Sequence, residues 1–194
     1  MGFANKVSLS RILAIPFFVA ALIYSARNPD IPQFRLIGLF IFIFAMITDF
    51  LDGIIARVKK EKTQLGKVLD PLADKLLLMN AFIWIYALRE SLPMAYKLPL
   101  AVVLIVVSRD LLILLGILIF TFLKIEIPIS PNAWGKLTTL AQMSTILCVF
   151  MDVPFSEIIW TLACVFTVIS GIIYLRRGVG AMNTFDSKEQ CPKH

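Results

Sequence analysis

The sequence predicts an all-α integral membrane protein, a bundle of six transmembrane helices with both termini in the cytoplasm. Three observations carry that expectation. Of 194 residues, 59% are hydrophobic and only 16% are charged, against roughly 45–50% and about 25% in an ordinary soluble domain. Six apolar stretches approach the roughly 20 residues needed to cross the hydrocarbon core. The basic residues alternate between the connecting segments as the positive-inside rule requires. Such a chain has too little polar surface for a soluble globule, and its mean hydropathy of +0.85 excludes a disordered polar chain.

The stretches fall at about residues 7–25, 34–57, 68–89, 97–123, 134–151 and 155–175. Short connections separate them and hold the helix breakers: Pro29 and Pro32, Pro93, Pro128 and Pro131, and Pro154. With the N-terminus inside, fourteen Lys and Arg fall in cytoplasmic segments and four (Arg27, Arg35, Arg89 and Lys97) outside. One more, Arg109, is left deep in the fourth span. The first 175 residues read as one membrane domain and 176–194 as a polar C-terminal tail. The formal charge of +6 is spread over topology positions, which argues against nucleic acid as a partner. The N-terminal apolar run has no small-residue cleavage site and reads as a span. The expected location is the inner membrane of a bacterium.

Cys148, Cys164 and Cys191 lie far apart, and His194 is the single histidine. That pattern predicts neither disulfide nor zinc site, and it removes histidine-based catalysis. Trp84, Trp134 and Trp160 read as interfacial or lipid-facing packing.

Ionisable residues inside a membrane cost about 2.5–3.5 kcal/mol each on insertion scales, yet this chain concentrates them. Asp49 and Asp52 fall near the cytoplasmic end of the second span, and Asp70 and Asp74 near the cytoplasmic start of the third. The spacings are i,i+3 and i,i+4, so each pair lies on one helix face. A short basic loop joins the two helices, so four carboxylates can converge. Four bare anions repel, and divalent cations resolve the repulsion. All-oxygen ligands suit Mg²⁺ or Mn²⁺, and shared carboxylates can hold two ions about 3.5–4 Å apart, as in phosphoryl-transfer sites. The bland alternative is capping or interfacial pairing; Asp70 before Pro71 has the form of an N-cap with proline at N1. Gly53, Ala56 and Gly66 allow close approach of a helix or ligand, and Arg57 is suited to a phosphate or to anchoring topology.

Together these residues spell Asp49-x2-Asp52-Gly53-x2-Ala56-Arg57-x8-Gly66-x3-Asp70-x3-Asp74. The pattern resembles the motif of the CDP-alcohol phosphotransferase family at all eight fixed positions. At a background of about 5–10% per residue, chance agreement at eight positions is negligible. Weaker similarities flank it. Asn5 to Arg11 resembles the family's N-terminal Pro-Asn-x-Leu-Thr-x-x-Arg, with Ala4, Val7 and Ser8 departing from it. Ser108-Arg109-Asp110 and the run from Gly135 to Gln142 resemble the phospholipid-making branch.

The resemblance implies a commonly dimeric six-helix protomer with a polar cavity open to the cytoplasm. It implies transfer from a CDP-linked lipid to an alcohol, with release of CMP. Carried over, Asp49, Asp52 and Asp70 would be metal ligands. Asp74 would be the base and also touch metal. Gly53, Ala56, Arg57, Thr63 and Gly66 would line the CDP pocket. No serine or cysteine sits beside a recognisable base, so direct transfer is expected.

Arg109 should face the bundle interior, paired with an anion. Its partner is either a carboxylate, Asp110 or the motif's own, or the phosphate of the acceptor, with Lys136 as a second contact. Two cations beside a metal site fit glycerol 3-phosphate as acceptor, and the resemblance to the phospholipid-making branch implies CDP-diacylglycerol as donor. Phosphatidylglycerol as acceptor, giving cardiolipin, is the alternative. A non-enzymatic divalent-cation transporter is a remote one, since the outer halves of the spans lack polar lining.

Overall fold

The computed structural model describes the backbone of residues 3–59, 64–122 and 133–189, and the side chains of residues 10–48, 72–119 and 133–180. Each predicted stretch forms one helix: α1 (Phe3–Arg27), α2 (Pro32–Lys59), α3 (Gln64–Ala87), α4 (Leu100–Phe122), α5 (Ala133–Phe150) and α6 (Ser156–Glu189). There is no strand among the described residues. Three segments, Ser10–Arg27, Leu100–Ile119 and Ser156–Gly180, are long and apolar enough to cross a membrane. In α2 the apolar stretch among the described residues is Pro32–Thr48. The other two helices carry polar side chains within their length, Lys75 and Asn80 in α3 and Thr138, Gln142 and Thr145 in α5.

The termini of the helices follow from local chemistry. Asn28 ends α1 by returning both its backbone N–H and its side-chain amide to the Tyr24 carbonyl, each at 3.0 Å. Pro32 then opens α2, where a missing N–H leaves no bond unmade. Asp152, with φ of 51°, turns the chain between α5 and α6, a conformation that Asp tolerates better than most residues.

In space α1 packs against α2 and α3, α3 against α4, α4 against α6 and α6 against α5; α5 closes the ring by touching α3 and α2. Phe18, Phe42 and Phe150 meet at its centre, with ring centroids 5.9 and 6.1 Å apart. The outer faces are apolar too: Phe17, Phe40 and Phe44 are each about two-thirds exposed. Lipid is as apolar as these side chains, so interlocking shape and interhelical hydrogen bonds must hold such helices together. Thr138 donates to the Phe166 carbonyl at 3.0 Å and Gln142 to Thr167 at 3.4 Å, tying α5 to α6.

Two sequence expectations are corrected. Asp70 does not cap a helix, since α3 begins at Gln64 and runs through Asp70 and Pro71. Trp160 does not face lipid; it is buried against the core, whereas Trp134 is exposed and lies 6.4 Å from the Phe166 ring. The polar residues from Arg176 to Glu189 continue α6 without a break.

Candidate active site

The helical backbone is continuous through all four motif aspartates. Asp49 and Asp52 lie near the C-terminal end of α2, and Asp70 and Asp74 in the first half of α3. Each pair is therefore one turn apart along its helix. The side chains of Asp49, Asp52, Gly53, Ala56, Arg57, Gly66 and Asp70, and the whole of Thr63, lie outside the described residues. Asp74 is described and partly buried. Among the described residues no three acidic, cysteine or histidine side chains come together as a metal site, since only one of the four aspartates has a described side chain. The donor set itself, carboxylates at helical spacing, fits a hard divalent cation.

Arg11 on α1 is 2% exposed. Tyr24 stacks on Phe34 at 5.6 Å, and Phe18 meets Phe42. Extending that antiparallel register carries Arg11 to the level of the α2 turn that begins at Asp49. Sequence reading placed Arg11 among the topology-setting cations and in the N-terminal motif. Its burial, which an interfacial anchor would not need, sets it apart.

Lys75, the residue after Asp74, belongs to a second group of charges. Lys75 and Arg109 are nearly buried and Asp110 is fully so. Asp110 Oδ1 accepts from Arg109 Nη1 at 2.6 Å and lies 3.4 Å from Lys75 Nζ. Arg109 Nη2 donates to Ser170 Oγ at 2.5 Å, and Lys75 Nζ donates to Thr139 Oγ1 at 3.2 Å. Four helices, α3 to α6, thus meet on one charged network. Gly171 makes room for it: a Cβ there would lie 3.4 Å from Arg109 Cγ. Of the two partners open to Arg109 on sequence grounds, the structure supplies Asp110. Lys136 is exposed in the first turn of α5, three residues before Thr139.

A family model described as CDP-alcohol phosphatidyltransferase matches residues 1–169. The chain belongs to that family. It is 30% identical to the CDP-diacylglycerol–glycerol-3-phosphate 3-phosphatidyltransferase of Bacillus subtilis, over 93% of this chain and 96% of that one. It is also 30% identical to a probable phosphatidylglycerophosphate synthase of Mycobacterium tuberculosis, over 91% and 81%. A Rickettsia typhi protein with the same name as the B. subtilis one is 31% identical, over 89% and 94%. Membership makes the protein a phosphatidyltransferase, and the ion-transporter reading falls away.

In the sequence Lys75 counts among the fourteen cytoplasmic cations, and Asp110 is an intramembrane charge, a candidate partner of Arg109 and part of Ser108-Arg109-Asp110. The signal was present, since each directly adjoins a residue already singled out. Thr139 falls in the run from Gly135 to Gln142 that resembles the phospholipid-making branch, whereas Ser170 carries no such signal; a hydroxyl in an apolar helix reads as packing until the neighbouring helix is known.

Proposed function

We propose that this chain transfers the phosphatidyl group of CDP-diacylglycerol to glycerol 3-phosphate, forming phosphatidylglycerol phosphate and CMP. The observation that carries the reading is the eight-position motif on α2 and α3, in a chain that aligns along nearly its whole length with relatives named for that reaction.

In this reading six helices span a bacterial inner membrane with both termini in the cytoplasm, and the chain works as a homodimer, as the family resemblance implies. The three long apolar helices and the bias of basic residues support that topology. Asp49, Asp52, Asp70 and Asp74 would hold two Mg²⁺ or Mn²⁺ ions; when bound, these offset the charge of the pyrophosphate and of the departing CMP. Gly53, Ala56, Arg57, Thr63 and Gly66 line the site for the CDP moiety. Asp74 takes the proton from the acceptor hydroxyl, whose oxygen forms the new bond to the phosphatidyl phosphorus. The bond from that phosphorus to the bridging oxygen breaks, and the oxygen leaves with CMP. With His194 the only histidine, a carboxylate is the available base. Arg109 and Lys136 bind the acceptor phosphate.

The test is CMP release by purified protein in detergent with CDP-diacylglycerol and Mg²⁺. Glycerol 3-phosphate should support release and Asp74→Asn should abolish it. Release with phosphatidylglycerol alone would move the protein to cardiolipin synthesis. Release with neither would overturn the reading.

A further inference from the structure

We propose that Asp110 is a positioning residue for the transfer reaction, holding Lys75 and Arg109 in a fixed cationic pair beside Asp74. The inference rests on the proposed function and adds to it a residue that touches neither metal nor substrate.

The geometry carries it. One oxygen of Asp110, Oδ1, faces both cations, at 2.6 Å from Arg109 Nη1 and 3.4 Å from Lys75 Nζ. Asp110 is 0% exposed. Inside a membrane protein such a carboxylate is held only by its cations, and each of them loses freedom in return. Lys75 is the next residue after Asp74, so fixing its ammonium between Asp110 and Thr139 fixes the orientation of this turn of α3. Arg109 is held from the other side by Ser170.

Two features separate this network from a plain structural ion pair. It sets two cations on the single oxygen Oδ1 of Asp110. Among the described residues it is also incompletely satisfied: Arg109 Nε, a donor, and Asp110 Oδ2, an acceptor, are buried with no hydrogen-bond partner. A purely structural buried network is expected to close its own hydrogen bonds. Two cations gathered on one oxygen, with Arg109 Nε as a spare donor, are suited to an anionic group, and the role of Asp110 is to keep the two cations in place for it.

The experiment measures kcat and KM for both substrates in the full-length protein in detergent, together with thermal unfolding, for wild type, Asp110→Asn and Asp110→Glu. Asp110→Asn keeps the shape and removes the charge. Its expected effect is a fall of roughly tenfold to a hundredfold in kcat/KM for glycerol 3-phosphate, a smaller change for CDP-diacylglycerol, and partial recovery in Asp110→Glu. Wild-type turnover with unchanged constants in Asp110→Asn would overturn the inference and leave the proposed function standing. A wild type that turns over neither acceptor would overturn both. If Asp110→Asn fails to fold, Lys75→Gln reads the same network from its other end. It should show the same bias toward the acceptor, and equal losses for both substrates would overturn the inference.

Discussion

Arg35, near the start of α2, and Asp152, in the turn between α5 and α6, meet at 2.6 Å across 117 residues of chain. The same guanidinium donates to the Phe150 carbonyl at 2.9 Å and the Pro93 carbonyl at 2.6 Å, while the other oxygen of Asp152 accepts from the Ala95 N–H at 2.7 Å. One pair thus ties α2 to the α3–α4 and α5–α6 connections. The Asp152→Ala protein should lose about 1–3 kcal/mol, because the Ala95 N–H and one arm of Arg35 lose their acceptor. Asp152→Asn keeps an acceptor and tolerates the left-handed backbone, so it should lose about half as much. Thermal unfolding in detergent of the two variants separates charge from geometry; equal losses would mean that the charge of Asp152, which both variants lack, matters and its fit to the left-handed turn does not.

This clasp marks what the sequence could and could not convey. Helix number and position were legible because twenty apolar residues between breakers have few other fates. The Asp pairs were legible because charge in an apolar helix is costly and their spacing is helical. Arg35 was read only as one of four outside cations, since no sequence signal tells that its partner is Asp152. Trp160 went wrong for the same reason: a tryptophan near a span end reads as interfacial unless the neighbouring helix is known. Asp70-Pro71 misled because proline at N1 is a helix-start signal, while Gln64 to Leu69, with two charges or amides and a glycine, gave no sign of the earlier turns.

Gly116 on α4 faces Tyr174 on α6, whose hydroxyl donates to the Ile113 carbonyl at 3.2 Å. A Cβ at residue 116 would collide with that hydroxyl and press on the ring. Gly116→Ala should therefore destabilise by about 1–3 kcal/mol, the usual cost of overpacking, even though alanine is the better helix former. Tyr174→Phe removes the obstructing oxygen. Combined with Gly116→Ala it should recover part of the loss, and a strictly additive double variant would show that the two residues do not press on each other.

The proposed topology places Glu90 outside and Lys136 inside. Both are exposed. In a background with Cys148, Cys164 and Cys191 replaced by serine, Glu90→Cys should react with a membrane-impermeant maleimide in intact cells. Lys136→Cys should react only after permeabilisation. The opposite pattern would invert the bundle and move the motif aspartates away from the cytoplasmic CDP-lipid pool.

The proposed role of the four motif aspartates as ligands of divalent ions predicts a sharp metal requirement. Chelation by EDTA should abolish CMP release, and Mg²⁺ or Mn²⁺ should restore it, whereas Ca²⁺, larger and looser in geometry, should restore it poorly. Asp74→Asn should lower kcat by at least about a hundredfold if it removes the base. It should leave CDP-diacylglycerol binding less affected than Asp49→Asn does. Equal loss of donor binding in both variants would make Asp74 a metal ligand only.

Arg109 has a protein partner in Asp110 and a hydroxyl partner in Ser170, yet its Nε has no hydrogen-bond partner among the described residues, so pairing with them does not exhaust the guanidinium. The Arg109→Ala variant separates the two roles. If the side chain serves only to neutralise Asp110, its loss leaves a buried carboxylate with Lys75 alone. The damage then appears as stability, with both substrates affected alike. If it also holds the acceptor phosphate, the KM for glycerol 3-phosphate should rise by roughly tenfold or more, the usual cost of a lost charged hydrogen bond, while that for CDP-diacylglycerol moves little. Arg109→Lys should keep charge but not the forked geometry. It should therefore recover stability more fully than acceptor KM. An acceptor KM that rises no more than the donor's in Arg109→Ala would remove Arg109 from the acceptor site and leave it a purely structural partner of Asp110.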